Sequence, residues 1–384
     1  MLLVAEAALG AEEIAALTKV LESGWITMGD RVRAFEQAFA VHHGASDAVA
    51  VGSCTAGLHL ALRALGVGPG DEVLVPSLTF VATVNSILYV GATPVFVDIE
   101  SERRPHLSLD DATAKCSSKS KAVIVMHYAG YTVDGEAWRA FAQSRGLLLI
   151  EDAAHAPGAP GVGEASDAAV FSFFGNKNMT AAEGGMVLAR DPDVRARIRR
   201  MRSHGMTTTS WERSKGYALG YDVPELGYNY RMDELRAALG LVQLARLPGW
   251  NAERARLGAA YRDRLADACP DVSLPFDRDD TSVHHIMPVL LPVGCDRARV
   301  MQSMREAGVQ TTVHYPCVHQ FSYYQALFPK QRLPRSEAFA TRELTLPLYP
   351  ALGAANIDVV VDALGAALRT APAARVAVRT NHAA

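Results

Sequence analysis

Three short stretches place reactive side chains where apolar runs meet turns. In AVAVGSCTAGLHLALRAL (48–65), a β run ends at Gly52 and an apolar helical pattern begins near Thr55. A Gly/Ser/Thr turn feeding a helix offers unpaired backbone N–H groups and the positive end of the helix dipole, which suits a phosphate. Ser53 and Thr55 add hydroxyl donors; the plainer alternative is an ordinary turn with Thr55 as N-cap. In LLLIEDAAHAPGA (147–159), Asp152 closes a buried strand where open α/β sheets place ligands, following the inward alternation of Leu148 and Ile150. A buried carboxylate needs a cation or several donors, which an arginine or a helix N-terminus would supply equally well. His155, taken alone, reads as structural. In FSFFGNKNMTAAEGGMVL (171–188), Lys177 lies between Asn176 and Asn178, with apolar runs on both sides and Gly184–Gly185 allowing close approach. A desolvated lysine has a lowered pKa, and its free amine attacks carbonyls. A lysine reaching out to solvent is the plainer reading.

The surrounding pattern supplies elements to hold these groups. Apolar β-rich runs at 72–76, 93–98, 121–127 and 147–152 alternate with helical patterns. Strands apolar on both faces predict a mostly parallel sheet covered by helices, with right-handed crossovers. From about Met232 two amphipathic helices follow, separated by Pro248 and Gly249, and then a smaller α+β lobe. The expected division is a large domain at 1–249 and a small C-terminal domain at 250–384, its tail frayed after about residue 370. A net charge of −3 without a long basic run argues against nucleic acid as the main partner. No uncharged apolar stretch approaches the roughly 20 residues that span a bilayer. The start of the sequence lacks the positive region of a signal peptide. Five scattered cysteines without metal spacing point to a reducing cytoplasm and to no metal site.

Together, a phosphate-binding turn, a buried carboxylate and a reactive lysine are what pyridoxal phosphate requires. The order Thr55, Asp152, Lys177 matches the large domain of fold type I pyridoxal phosphate enzymes. The resemblance is closer still to the DegT/StrS sugar aminotransferases. It is carried by SGWITMGDRVRAFEQAFA, VPSLTFVATVNSILYVGATPVFVDIE, EDAAHAPGA, FSFFGNKNMTAAEGGMV, GYNYRMDELRAALGLVQL, TTVHYPCVHQ and LTLPLYPAL, in the family's order. The resemblance implies a fold type I architecture, a large α/β/α domain on a mostly parallel mixed sheet plus a smaller α+β domain. It makes Lys177 the Schiff-base lysine, Asp152 the partner of the pyridine nitrogen and His155 a neighbour of the ring hydroxyl. Phe80 would stack on the ring, and Thr55, Ala56 and Ser172 would hold the phosphate. Asn229 would reach the phosphate from a neighbouring subunit, implying a homodimer with shared active sites. Trp25, Thr27, His314, Tyr315 and His319 fall in segments that line the sugar site of relatives.

Relatives that dehydrate or deoxygenate sugars carry histidine at the Lys177 position, so lysine implies transamination. The implied reaction is ping-pong, from glutamate or glutamine to a keto-sugar, commonly a nucleotide-linked keto-deoxysugar; a keto-cyclitol is the alternative acceptor. A pyridoxal phosphate lyase and a non-catalytic regulator are the rival classes. Two departures bear on specificity: a short linker after EDAAHAPGA, and the long polar segment 203–222, expected to cover the site, with Arg213 and Lys215.

Overall fold

The computed structural model describes residues 1–278 and 280–370; the tail expected to fray lies outside them. Seven strands form the central sheet: β1 (Val49–Val51), β2 (Glu72–Pro76), β3 (Thr93–Val97), β4 (Ser120–Met126), β5 (Leu148–Asp152), β6 (Ala168–Ser172) and β7 (Gly185–Ala189). Their spatial order is β1-β7-β6-β5-β4-β2-β3, and β7 alone runs antiparallel to its neighbours. Strands apolar on both faces demand such a covered sheet. Ile150, Val170 and Val187 pack on one face with Leu58 and Leu62 of the helix Cys54–Ala64. Leu149 and Val123 meet Trp138 and Phe141 on the opposite face. Gly57 lets the first of these helices sit close, since a Cβ there would stand 2.6 Å from Val170 Cγ1. The parallel strands end on one side of the sheet. The turns after β1, β2, β4, β5 and β6 therefore converge where open α/β sheets bind ligands.

A second core is built on the antiparallel pair β8 (Met287–Leu290) and β9 (Glu343–Leu346), with the helices Arg297–Glu306 and Ala354–Thr370. The first residues of the chain, read from sequence as part of the large domain, join this second core instead. Leu2 packs against it and donates its N–H to the Gly308 carbonyl at 2.7 Å.

The two helices expected around Pro248 and Gly249 are one helix, Glu234–Ala268. Proline in a helix interior costs about 3 kcal/mol. Here Leu244 and Leu247 anchor the helix in the large core while Leu257 and Tyr261 anchor it in the second. Packing at both ends overrides the local signal.

The segment 203–222 carries a short helix, Ser210–Ser214, whose Trp211 meets the helix Asp30–His42. The Arg33 guanidinium stands 3.9 Å above the Trp211 ring. Among the described residues, no helix is long and apolar enough to cross a membrane.

Candidate active site

Lys177 sits in the loop between β6 and β7. The loop folds tightly on itself: Lys177 N–H donates to the Phe174 carbonyl at 3.0 Å and Ala181 N–H to that of Phe173 at 2.9 Å. Gly185 allows this loop to press on the helix start, because a Cβ there would lie 2.7 Å from the Cys54 nitrogen. Part of the Lys177 side chain is open to solvent, but the surrounding protein desolvates the amine. Its pKa comes down to about 8, against the opposing pull of Asp152 and Cys54.

Asp152 is buried at the end of β5. Its Oδ2 accepts from the Thr83 hydroxyl at 2.6 Å and its Oδ1 from Ala154 N–H at 3.1 Å. Burial pushes this carboxyl up, while the two donors and the Lys177 charge pull it down. Among the described residues it has no ion-pair partner, so the carboxylate is short of a cation.

His155, in the turn after β5, has its proton fixed by geometry. Ala129 N–H donates to Nδ1 at 3.2 Å, so the neutral ring carries its hydrogen on Nε2, which meets the Tyr315 hydroxyl at 2.8 Å. The Tyr315 oxygen accepts that bond and keeps its own proton to donate elsewhere. Burial, with the Lys177 charge, holds His155 neutral, and burial raises Tyr315.

His314 is set by a second relay. Its Nδ1 lies 2.9 Å from the Thr345 hydroxyl, which lies 2.6 Å from Glu343 Oε1, and His314 N–H donates to Glu343 Oε2 at 2.8 Å. Burial raises the Glu343 carboxyl to about 8, against Thr345, His314 and Arg297. The native state therefore holds a proton that the unfolded chain has released at the ordinary glutamate value. Native stability falls as pH rises between those two values. Glu343→Gln copies the protonated carboxyl, donating to Thr345 and accepting from His314. Its Tm advantage over the parent is expected to grow from about pH 5 to about pH 8 and then level off. Calorimetry across that range checks this; a pH-independent difference would show that Glu343 does not titrate there.

The structure thus brings Lys177, Asp152, His155, His314 and Tyr315 together. The Phe80 ring, 55% exposed, lies 6.0 Å from that of Tyr315. The helix after β1 starts at Cys54, and its N-cap is Ser53, two residues before Thr55. Ser53 Oγ takes the Ala56 N–H at 3.1 Å, so that amide enters a phosphate seat only if Ser53 turns away. Ser172 is buried at the end of β6. Asn229 is exposed, and the next residue's carbonyl accepts Gly52 N–H at 2.7 Å.

Trp25 and Thr27 are not brought to Lys177. They sit on the turn between the helices Ala11–Ser23 and Asp30–His42, where Trp25 Nε1 donates to the Met28 carbonyl and lies near Trp211. His319 is buried with both ring nitrogens committed, to Ser77 Oγ at 2.7 Å and Glu337 Oε1 at 3.2 Å. It has no ring nitrogen left for a ligand. Sequence reasoning missed His285, whose Nε2 lies 3.4 Å from Lys177 Nζ. Its setting in an apolar run carries no sign of that contact.

The model of the DegT/DnrJ/EryC1/StrS aminotransferase family matches residues 7–365. The chain belongs to this family. The fold agrees with solved structures. The aminotransferase TlmJ from Streptoalloteichus hindustanus is 32% identical over 96% of this chain and 99% of that one, with a TM-score of 0.88. DesV of S. venezuelae, solved with a ketimine intermediate, is 34% identical over 92% and 94%, with a TM-score of 0.84. PseC of Helicobacter pylori, an aminotransferase involved in pseudoaminic acid biosynthesis, is 27% identical over 96% and 99%, with a TM-score of 0.88. A Streptococcus pneumoniae structure at 28% identity is known in PLP and PMP forms. The protein is a pyridoxal phosphate-dependent aminotransferase of fold type I.

The residues present fit that cofactor. Asp152 lacks a cation, the helix Cys54–Ala64 opens toward the lysine loop, and the Phe80 ring stands exposed beside Tyr315.

Proposed function

We propose that this aminotransferase moves an amino group from glutamate or glutamine to the keto carbon of a nucleotide-linked keto-deoxysugar, by a ping-pong route. The observation that carries this reading is the desolvated Lys177 amine, grouped with the uncompensated Asp152 and the Tyr315 donor. The sugar class rests on family membership and on relatives such as PseC.

Bound here, pyridoxal phosphate supplies a carbonyl carbon that receives the amino group and a ring that withdraws electrons. Lys177 anchors it between turnovers. Once displaced, Lys177 Nζ takes a proton from the substrate carbon and returns it on the far side of the transfer. A pKa of about 8 leaves a useful fraction of free amine near neutrality. The Asp152 carboxylate keeps a proton on the ring nitrogen. Thr55 and Ser172 would hold the phosphate, joined by the Ala56 amide once Ser53 turns away; Phe80 would cover a ring face, and His155 holds Tyr315 so that its hydroxyl donates into the site. His314 and Tyr315 are the acceptor contacts this arrangement favours.

The same reading takes residues to about 249 as the cofactor lobe, apart from the N-terminal segment, and the remainder as the second lobe. It also makes the enzyme a homodimer, with Asn229 reaching the partner's phosphate. Asn229 is exposed, as are Tyr217, Leu219 and Leu226 in the segment that precedes it. Sedimentation at the mass of one chain would overturn the dimer.

The functional test is the visible spectrum of the cofactor-loaded protein before and after L-glutamate or L-glutamine. The expected result is that a donor bleaches the band and a nucleotide-linked keto-deoxysugar restores it. A band that neither donor bleaches overturns transamination from these donors. Restoration by keto-cyclitols alone moves the acceptor to that class.

A further inference from the structure

His285, just ahead of β8, places ring nitrogen Nε2 at 3.4 Å from Lys177 Nζ. Its tautomer is fixed by a chain of bonds that ends on backbone carbonyls. The Val283 carbonyl can only accept, so the Asn178 atom facing it at 2.8 Å is Nδ2, which also donates to Asn251 Oδ1 at 2.9 Å. Asn251 is oriented in turn, because its own Nδ2 donates to the Pro157 carbonyl at 3.1 Å. Asn178 Oδ1 is therefore an acceptor, and His285 Nδ1, 2.9 Å away, must carry the hydrogen. The backbone is pinned as well: His285 N–H donates to Ala129 O at 2.9 Å, and its carbonyl accepts from Arg254 at 3.1 Å. Burial, with His155, Lys177, Arg254 and His314 nearby, keeps the ring neutral. A neutral ring with hydrogen on Nδ1 turns the Nε2 lone pair toward Lys177.

We propose that His285 is a positioning residue for Lys177: its Nε2 accepts an N–H from the free amine and so turns the nitrogen lone pair toward the site. The proposal rests on the reading of Lys177 as the reactive amine. A neutral amine has two N–H groups and one lone pair. Tying one N–H to a fixed acceptor leaves the lone pair the directions facing away from His285. The same bond favours the ammonium form, so it opposes the desolvation that lowers Lys177. The other ionisable groups facing this amine are Asp152 and His155 at the end of β5, Cys54 at the helix start, and His314.

Two substitutions separate the two ring nitrogens. His285→Gln offers an acceptor near the Nε2 position. His285→Asn keeps a donor for Asn178 and offers Lys177 nothing. The readout is competitive acetylation of Lys177 by acetic anhydride in the full-length, cofactor-free chain, followed against pH by mass spectrometry of its peptide. The parent midpoint is expected at about 8. His285→Gln should stay close to it, and His285→Asn should fall by about one pH unit, the worth of one net hydrogen bond. An unshifted His285→Asn, or equal shifts in both variants, overturns the positioning role and leaves Lys177 itself intact. A parent midpoint at the ordinary lysine value overturns the reactive-amine reading and this proposal with it.

Discussion

Lys177→Ala should abolish turnover while leaving the protein at least as stable as the parent at neutral pH. The loss follows from the roles that fall on this one nitrogen: anchor for the cofactor, and acceptor and donor of the substrate proton. Removing a group with both duties should lower kcat by about 10⁴-fold or more, since general acid–base catalysis alone contributes about 10²–10⁴. The stability expectation comes from the same pKa. The folded amine titrates at about 8 and the unfolded one at 10.5. Below the folded value the native state carries the full penalty of a buried charge, and stability rises as pH climbs between the two values. That penalty is of the order of 3 kcal/mol at pH 7. Loss of the contact with His285 at 3.4 Å offsets part of the gain. Two measurements check the expectation: the rate of amino transfer, and Tm across about pH 7 to pH 10. In the variant, borohydride should no longer fix the cofactor to the chain. Cofactor still trapped by borohydride would mean that another lysine does the work.

Much of this site was legible before any coordinates, because chemistry at the end of a buried strand leaves a local mark. Asp152 after Leu148 and Ile150, and Lys177 between two apolar runs, stand out since ionic groups there violate the surrounding pattern. The sheet was legible for the same reason. What was hidden depends on contacts between distant parts of the chain. His285 reaches Lys177 across 108 positions, and its neighbours in sequence are those of an ordinary strand. Glu343 acquires its raised pKa from residues brought by other segments, and an isolated Glu before an apolar run reads as surface. His319 failed in the opposite direction. It shares a motif with His314 and Tyr315, but the 3₁₀ turn Val318–Gln320 carries it into a buried pair with Ser77. The Pro248 break was misjudged because a local rule met a helix anchored in two cores.

Asp152→Asn should retain cofactor and lose roughly 10²–10³ in kcat, the usual worth of one electrostatic contact made in a transition state. The substitution is a close probe because the two hydrogen bonds around it can be kept, one of them reversed, although the second N–H of the new amide gains no partner. In the parent, the Thr83 hydroxyl donates to Oδ2, and Thr83 lies 2.9 Å from the Thr79 hydroxyl, which lies 3.1 Å from Met126 Sδ. In the variant, the amide Nδ2 donates to Thr83, Thr83 to Thr79, and Thr79 to the Met126 sulfur. The amide oxygen still accepts from Ala154 N–H. Shape and both existing hydrogen bonds survive, and the main change is the loss of the charge. A buried carboxylate without a cation is unfavourable, as its raised pKa shows. The cofactor-free variant should therefore melt higher than the cofactor-free parent, and the gap should narrow once cofactor supplies the missing cation. A ring nitrogen facing an amide loses its reason to stay protonated, so kcat should fall, and the Kd for cofactor should weaken by the amount that the narrowing of the melting gap implies. Melting curves with and without cofactor, together with the kcat measurement, test both halves. Unchanged activity would make Asp152 a structural acid, held in place for Thr83 and Ala154 alone.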